Sequence, residues 1–416
     1  MPLSEAWLCH VRGALGRLEE QSLLRETTRS DNGIVTHFGT NDYLGIAQRR
    51  LPDRAAANGE GGREYRGSVL VSGYSKAHEN LEDKILELKG LSRRRGSRAL
   101  LFPSGYAANL SVGMALCTVH EGQDPSQTIH VYSDSLNHAS IIDGIRYARA
   151  TTRRGTGRSV LHIYKHNDAR DLRAKLEEEN ESGLKIVFTE SVFSMDGDVC
   201  DLRGIVRLKR EHKFLLVLDE AHATLVLGDK GGGLAQALGL SSEVDLSVGT
   251  LSKAVGSLGG FVVAHTPLLR SIVLNKGRPV IYSTSLPVAL VEQACDNICF
   301  GMSKEGRKLR QRLRKNVTLL VRALAKRGFL CGSGAMDGEL VSPIVPVDMP
   351  SERYAMEASL YLRKNHKIFV PAIRPPTVPT SRLRIAVCAM HSEQELLSLA
   401  DAVAEFERHH RLRSKL

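Results

Sequence analysis

Short apolar runs alternate with amphipathic stretches through the middle of the chain. Each run is apolar along its whole length, which is typical of strands that are buried on both faces of a sheet. These runs predict β-strands at 98–102, 128–134, 159–166, 185–191, 214–218 and 245–249. The stretches between them predict helices at 107–116, 138–150, 168–179 and 202–212. This alternation favours an α/β fold with a mostly parallel, doubly wound sheet.

The pattern changes beyond Pro287. A helical stretch reaches about Lys326, and apolar runs at 342–349, 368–376 and 382–390 then predict strands, with helices between and after them. At the N-terminus, the residues on one face of an amphipathic helix are Leu8, Val11, Leu15 and Leu18. We therefore expect an N-terminal helix and arm at residues 1–45, a large α/β domain at 46–286 and a smaller α+β domain at 287–416.

The composition of the 416 residues is that of a soluble globular protein, with 42% apolar and 25% charged residues. No run approaches the ~20 apolar residues of a membrane span, so we expect no membrane segment. The seven cysteines include no C-x-x-C pair, which favours reduced thiols in a protein that is not secreted. The final tripeptide, Ser414-Lys415-Leu416, matches the address that the peroxisomal import receptor reads, so we expect a peroxisomal protein, or otherwise a cytosolic one.

The net charge is +11, and three explanations remain open. Excess Lys and Arg often just form a solvated surface. A basic protein can also attract an anionic substrate such as a phosphate-rich coenzyme thioester. A nucleic-acid-binding protein is the third explanation, supported by the basic turn SRRRGSR at 92–98, although such turns are usually solvated. We favour the solvated surface and expect no nucleic-acid partner.

Residues with reactive or polar side chains follow the predicted strands. Sites in open α/β sheets lie at the carboxyl ends of the strands, so these residues are expected to meet at one edge. In chain order they are Gly105 and Tyr106, His138, Ser194, Asp219 and His222, and Thr250, Ser252 and Lys253. Each has an ordinary structural explanation when taken alone, such as a helix cap or a solvated loop.

Taken together, these residues suit pyridoxal phosphate. Lys253 would hold the aldehyde of the cofactor, and Asp219 would pair with its ring nitrogen. The phosphate would lie at a helix N-terminus, among Gly105, Tyr106, Thr250 and Ser252. The two histidines would lie against the ring face and the phenolic oxygen.

Two other chemistries fit less well. The DEAH sequence at 219–222 also occurs in nucleotide-hydrolysing helicases, but this chain has no Gly-Lys dipeptide and therefore no G-x-x-x-x-G-K-[ST] loop. We expect no metal site, because no cluster of Cys and His with zinc-ligand spacing stands out.

Six motifs resemble those of the α-oxoamine synthases, which are fold-type I pyridoxal phosphate enzymes. They are HFGTNDYLG (37–45), SDSLNHASIIDG (133–144), TESVFSMDGD (189–198), LDEAHATLVLGDKGGG (218–233), GTLSKAVGSLGG (249–260) and YSTSLP (282–287). The resemblance runs in order from about residue 35 to about residue 400. It implies the fold-type I transferase architecture, and an enzyme that joins an amino acid to an acyl-CoA with loss of carbon dioxide.

The resemblance also implies roles for individual residues. Lys253 would carry the cofactor, His138 would stack on its ring, and Asp219 would pair with the ring nitrogen. Ser194 and His222 would face the phenolic oxygen. Ser283 and Thr284 would reach the phosphate of the neighbouring subunit, which implies a homodimer with shared sites. Arg384 would grip the amino-acid carboxylate, and the remaining substrate positions would be Arg25, Asn41, Arg374 and Thr377.

The stretch AIRPPTVP, residues 372–379, resembles the branch of the family that condenses L-alanine with pimeloyl-CoA. A sister enzyme that uses glycine or serine with another acyl-CoA is the alternative. Two departures from the family pattern bear on the substrates. Only Thr380 and Ser381 separate this stretch from Arg382, which is expected to alter the placement of Arg384 relative to Arg374. Val69 and Leu70 stand where small or polar residues are common, so the length of the acyl chain stays open.

Overall fold

The computed structural model describes residues 5–20, 33, 36–49, 66–119, 128–151, 158–178, 183–331, 340–375 and 377–413. Its strands are β1 (Thr36–His37), β2 (Arg98–Phe102), β3 (Thr128–Asp134), β4 (Arg158–Tyr164), β5 (Gly183–Glu190), β6 (Leu215–Asp219), β7 (Leu246–Thr250), β8 (Gly260–Ala264), β9 (Ile344–Asp348), β10 (Ile368–Phe369), β11 (Ala372–Ile373) and β12 (Arg382–Ala386). The predicted strands in the middle of the chain are confirmed, to within a few residues at their ends.

The larger sheet has the strand order β2-β8-β7-β6-β5-β3-β4. The pairs from β7 to β4 are parallel, whereas β8 runs antiparallel to both β7 and β2. Alternate side chains of β2 enter two separate apolar cores, with Ala99 and Leu101 in one and Leu100 and Phe102 in the other. Because successive side chains of a strand point to opposite faces, this division shows that both faces of the sheet are covered.

The helices are α1 (Glu5–Glu20), α2 (Lys76–Leu88), α3 (Gly105–Leu116), α4 (Ala139–Thr151), α5 (Ala169–Glu178), α6 (Leu202–His212), α7 (Leu234–Ala237), α8 (Pro267–Lys276), α9 (Arg278–Ile281), α10 (Val288–Met302), α11 (Lys304–Ala325), α12 (Glu352–His366) and α13 (Glu393–Arg413). None of the helices within the described ranges is both long and apolar enough to cross a bilayer.

Helix α6 shows how local sequence sets these elements. Asp201 caps its N-terminus, accepting the backbone N–H of Gly204 at 2.9 Å. The helix ends at Lys213, which adopts a left-handed conformation with φ of 55° after a last turn that is rich in basic residues. The residues that it buries against the sheet include Leu202, Ile205, Val206 and Leu208, at the spacing of one helical face.

The region after residue 287 differs in one detail from the prediction. The single predicted helical stretch is two helices, because Ser303 ends α10 and caps α11 through the backbone N–H of Gly306. A smaller antiparallel sheet follows, in the order β11-β12-β9. Near the N-terminus, β1 pairs in parallel with β10, which links residues 36–37 to this region. The domain boundaries at residues 45 and 286 stay predictions.

Candidate active site

A cavity of about 230 Å³ lies at the carboxyl ends of β5, β6 and β7, beside the N-terminus of α3. This is the position at which open α/β sheets bind ligands. Eight of the predicted residues line it: Gly105, Tyr106, His138, Asp219, His222, Thr250, Ser252 and Lys253. Residues that lie up to 148 positions apart in the chain therefore meet in one cavity, as expected from their positions after the strands.

Lys253 lies in the turn that follows β7, with its Nζ 2.9 Å from Nε2 of His222. Burial lowers the pKa of Lys253 to about 8, because an ammonium group out of water is disfavoured. Asp219 and Glu190 oppose this effect, and Arg384 adds to it. An appreciable fraction of the amine is therefore neutral near neutral pH, and a neutral amine can act as a nucleophile or a base.

His222 is the middle of a hydrogen-bonded chain that ends at Lys253. The Tyr43 hydroxyl donates to Oδ1 of Asn41 at 3.0 Å, and its oxygen lies 2.7 Å from Nδ1 of His222. Because a phenol has one proton, Nδ1 of His222 is the donor to Tyr43, and Nε2 accepts from the Lys253 ammonium. Burial, with Lys253 and Arg384 nearby, holds the pKa of His222 well below its usual value. The imidazole is therefore neutral.

Asp219 is the last residue of β6 and is only 6% exposed. Its Oδ2 accepts from Nδ2 of Asn109 at 2.6 Å, and its Oδ1 accepts from the backbone N–H of Ala221 at 2.8 Å. A carboxylate offers about four acceptor positions, so Asp219 has capacity for a further N–H donor inside the cavity.

The other end of the cavity is built from hydroxyl groups and a helix N-terminus. Oγ1 of Thr250 lies 2.8 Å from Oγ of Ser252, and a Cβ built on Gly105 would lie only 3.0 Å from Cβ of Thr250. Ser104 caps α3 by accepting the N–H of Ala107, while the first N–H groups of the helix have no partner within it. Such a helix start, with hydroxyls beside it, suits a phosphate group.

Arg384 reaches the site from β12 of the smaller sheet and is 7% exposed. Its Nε donates to the carbonyl oxygen of Ser194 at 2.5 Å. Two residues away, Arg382 forms an ion pair with Asp196 at 2.5 Å. The turn at 194–196 therefore joins the smaller sheet to the edge of the larger one, and it places a guanidinium close enough to affect Lys253 and His222.

Several predicted residues lie outside the cavity lining, Ser194 and Arg384 among them. Arg374 forms an ion pair with Glu352 at the start of α12, and the N–H of Thr377 donates to the Arg374 carbonyl oxygen. Ser283 and Thr284 follow α9, with Ser283 partly buried and Thr284 exposed. Asn41 is connected to the site through the Tyr43 hydroxyl, which donates to its Oδ1. Arg25 and Ser414-Lys415-Leu416 lie outside the described residues.

Four residues of the site were not predicted from the sequence: Tyr43, Asn109, Ser140 and Glu190. Glu190, at the end of β5, accepts the backbone N–H of His138 at 2.5 Å and faces Asp219 in the register of the two strands. Burial raises its pKa well above the usual value. Tyr43, Glu190 and Ser140 all lie within the motifs quoted above, so their signal was present; Asn109 lies in a helix outside those motifs.

The sequence also contains one His-x-x-x-His spacing, His162 to His166, which the expectation of no metal site had overlooked. The pair does not form a metal cluster. His162 stacks on Tyr132, whereas His166 lies between Asp134 and Asp198, at 2.9 and 3.1 Å. No group of three or more potential metal ligands occurs among the residues that the structure describes.

The fold and the site define a class of protein. The aminotransferase class I and II family matches residues 33–403, and the chain belongs to this family. The fold class inferred from the sequence is confirmed by this match and by the solved structures that resemble the chain.

The similar proteins narrow the class. The 8-amino-7-oxononanoate synthase of Lysinibacillus sphaericus is 37% identical over 92% of this chain and 94% of its own length. The enzyme of the same name from Citrifermentans bemidjiense is 38% identical over 90% of each chain. Among solved structures, a serine palmitoyltransferase from Sphingomonas wittichii has a TM-score of 0.80 at 26% identity, covering 99% of this chain and 100% of its own. These relatives confirm the resemblance to the α-oxoamine synthases.

Proposed function

We propose that this chain is a pyridoxal phosphate enzyme that condenses L-alanine with pimeloyl-CoA, giving 8-amino-7-oxononanoate, CoA and carbon dioxide, a step of biotin biosynthesis. One observation carries the cofactor assignment: an amine with a pKa of about 8 and a buried carboxylate share one cavity with a helix N-terminus. An aldehyde, a ring nitrogen and a phosphate would each meet a matching group there. The bound cofactor supplies an electron sink for charge that develops on the amino-acid α-carbon.

The residues of the chain would perform the remaining tasks. Lys253 would hold the cofactor and, once released, remove the α-proton with its neutral amine. Asp219 would keep a positive charge on the ring nitrogen. Arg384 would orient the substrate carboxylate, and its contact with Ser194 fixes the position of the guanidinium. His222, whose pKa is held well below its usual value by burial and by the nearby Lys253 and Arg384, would offer a hydrogen-bonding group without adding charge.

The choice of substrates rests on the relatives named 8-amino-7-oxononanoate synthase, which match about nine-tenths of the chain. The serine palmitoyltransferase of similar fold supports a second candidate, a condensation of serine or glycine with another acyl-CoA. Crossing alanine, glycine and serine with pimeloyl-, acetyl-, succinyl- and palmitoyl-CoA, while following CoA release, separates the two. Turnover confined to alanine with pimeloyl-CoA supports the first candidate, and any other preferred pair overturns it.

We also infer that the working form is a homodimer in which Ser283 and Thr284 reach the phosphate site of the other subunit. Their position outside the cavity of their own subunit supports this arrangement. The molar mass from light scattering tests the dimer. Mixing a Lys253→Ala subunit with a Thr284→Ala subunit tests the sharing. If the sites are shared, both defects fall in one site of the mixed dimer and the other site is intact, so the mixture should be more active than either variant alone. If they are not shared, each site carries one defect and mixing should restore no activity.

The final tripeptide supports a further proposal, that the peroxisomal import receptor binds Ser414-Lys415-Leu416. Binding of a fluorescent peptide with the last nine residues of the chain to that receptor tests it, with the peptide lacking Leu416 as the control. Equal binding of the two peptides would overturn the proposal.

A further inference from the structure

Asn109 in α3 lies between the two groups that are proposed to contact the cofactor ring. Its Nδ2 donates to Oδ2 of Asp219 at 2.6 Å and to Oγ of Ser140 at 3.0 Å. Asn109 is 4% exposed and Ser140 is fully buried. An amide nitrogen has two N–H donors, and these contacts use both. The reverse orientation would aim the amide oxygen at a carboxylate, so Asp219 itself fixes which way Asn109 points.

The direction of these hydrogen bonds determines which ring nitrogen of His138 carries a proton. Because Oγ of Ser140 accepts from Asn109, the hydroxyl proton of Ser140 is directed elsewhere, and Nδ1 of His138 lies 2.7 Å away. The backbone N–H of Ser140 donates to the same nitrogen at 3.2 Å. A ring nitrogen that receives two donors carries no proton of its own, so the ring proton of His138 is on Nε2.

The packing of two helices holds this arrangement in place. A Cβ built on Gly144 of α4 would lie 3.1 Å from the backbone oxygen of Asn109, so the two helices approach each other at the level of these residues. On the opposite side, Glu190 accepts the backbone N–H of His138 at 2.5 Å. The ring of His138 is therefore held by Ser140 of α4, which is bonded to Asn109 of α3, and its backbone is held by Glu190 at the end of β5.

We propose that Asn109 is a positioning residue, which orients Asp219 and, through Ser140, holds His138 as a neutral imidazole protonated at Nε2. The proposal rests on the proposed function only in assuming that Asp219 and His138 face the cofactor. A neutral His138 places no second cation beside Lys253, and it leaves the charge of Asp219 for the ring nitrogen.

The charged groups around His138 have opposing effects on the protonation of its imidazole. Burial lowers the pKa of the imidazole, and Lys253 acts in the same direction, while Asp219 and Asp143 raise it. Glu190 accepts the backbone N–H of the same residue, and burial raises the pKa of that carboxyl well above its usual value. Two carboxylates therefore favour the imidazolium, and the hydrogen bonds at Nδ1 favour the neutral ring.

The test uses the apoenzyme labelled with ¹⁵N at histidine, whose ring nitrogens report both tautomer and pKa by NMR. A His138→Gln variant assigns the signal. Wild-type protein is expected to show the Nε2–H tautomer. In Asn109→Asp the new carboxylate accepts the Ser140 hydroxyl proton, so Oγ of Ser140 turns its lone pairs to His138. The His138 pKa is then expected to rise by about one unit or more. Ser140→Ala, a milder change, is expected to raise it less.

A matched control is available in Asn316, a buried asparagine whose Nδ2 donates to the backbone oxygens of Cys388 and His391, away from the cavity. Asn316→Ala is expected to lower the unfolding midpoint while leaving the His138 signal unchanged. In the holoenzyme, Asn109→Asp and Ser140→Ala are expected to weaken cofactor binding, the former roughly tenfold or more.

If the His138 tautomer and pKa are the same in wild type, Asn109→Asp and Ser140→Ala, the proposal is wrong, whatever the turnover. Absence of turnover with alanine and pimeloyl-CoA, accompanied by the expected NMR changes, would instead reject only the proposed substrates. The two failures are therefore distinguishable.

Discussion

Lys253 experiences effects of opposite sign within one cavity. Burial and Arg384 disfavour its ammonium form, while Asp219 and Glu190 favour it, and the first effects dominate. The result is a pKa of about 8 where 10.5 is usual. His222 contacts the amine directly but adds no charge, because it is itself neutral. The surrounding charges and burial thus set the pKa of the amine more than its hydrogen bond to His222 does.

This balance gives a pH dependence with a defined sign. The neutral amine is the nucleophile, and it predominates above its pKa, so the apoenzyme should combine with pyridoxal phosphate faster as the pH rises through about 8, levelling off above it. Stopped-flow absorbance from about pH 6 to about pH 10 measures the rate. Free N-acetyl-lysine is the reference, and its rise is expected near its ordinary pKa of ~10.4.

In the same experiment, Asp219→Asn should shift the midpoint of the pH dependence in a defined direction. Removing the anion that most opposes the effect of burial should move the midpoint to lower pH. Asp171→Asn is the matched control, because Asp171 accepts the backbone N–H of Lys165 outside the cavity, and it should keep the wild-type midpoint. A wild-type midpoint near that of the free amine, or no shift in Asp219→Asn, would contradict the assignment.

At the scale of residues, the sequence indicated groups that sit at strand ends and failed for groups that arrive from elsewhere. Lys253, Asp219 and His138 follow apolar runs directly, so their meeting could be predicted from topology alone. Asn109 lies within a helix, one turn beyond its start. It meets Asp219 at the end of β6 because of how α3 packs on the sheet, and such packing cannot be inferred from the sequence of the helix alone.

At the scale of elements, predictions held where an apolar run was long and bounded by polar residues. The bounds of β2 and β3 match the predicted ranges 98–102 and 128–134. The strand β8 was not predicted, since it begins with Gly260 directly after Gly259, which leaves an apolar run of only four residues, Phe261–Ala264. The break between α10 and α11 was missed because the stretch was treated as one helix, although Ser303 separates a mostly apolar segment from a strongly basic one.

The crossing of α3 and α4 depends on two glycines. A Cβ on Gly113 would lie 2.8 Å from the backbone carbon of Gly144, which is closer than real side chains approach. Replacing glycine by alanine inside a helix normally stabilises it by about 1 kcal/mol. At this crossing the clash with backbone that belongs to the other helix should outweigh that gain.

We therefore expect Gly113→Ala to lower the free energy of unfolding by about 1–3 kcal/mol, as overpacking does. Urea unfolding of the apoenzyme measures the change. Gly16→Ala is the control, because no atom lies within 4 Å of a Cβ built on Gly16 of α1. This variant should keep the wild-type stability or exceed it. Equal stabilisation by both substitutions would show that the two helices are not in close contact.

At the scale of the whole molecule, the site joins segments that are far apart in the chain. Tyr43 contacts His222, and its carbonyl oxygen accepts the N–H of Ala389, while Ala386 donates to the carbonyl oxygen of Phe38. Residues 36–49 are thereby held between the larger sheet and the region of β12. Periodicity along the sequence carries no information about such long-range pairs, which is why Tyr43 could be recognised only within a motif.

The apolar face of α1 bears on the proposed dimer. Trp7 is 66% exposed, and Val11, Leu15 and Leu18 on the same helix are between 39% and 45% exposed. A contiguous apolar face of this kind usually marks an interaction site. We expect a second copy of the chain to cover it. Trp7 is the single tryptophan of the protein, so its fluorescence reports on this helix alone.

The emission of Trp7 should accordingly be blue-shifted at high protein concentration and move to longer wavelength on dilution, with the same midpoint as the change from dimer to monomer mass. Leu15→Glu places a charge on the apolar face and should shift both transitions to higher concentration. Glu20→Lys alters charge on the opposite side of α1, half a turn round the helix from Val11, and should leave them in place. Blue-shifted emission that persists in a monomer would mean that α1 packs against its own chain, and red-shifted emission in a stable dimer would place α1 outside the interface.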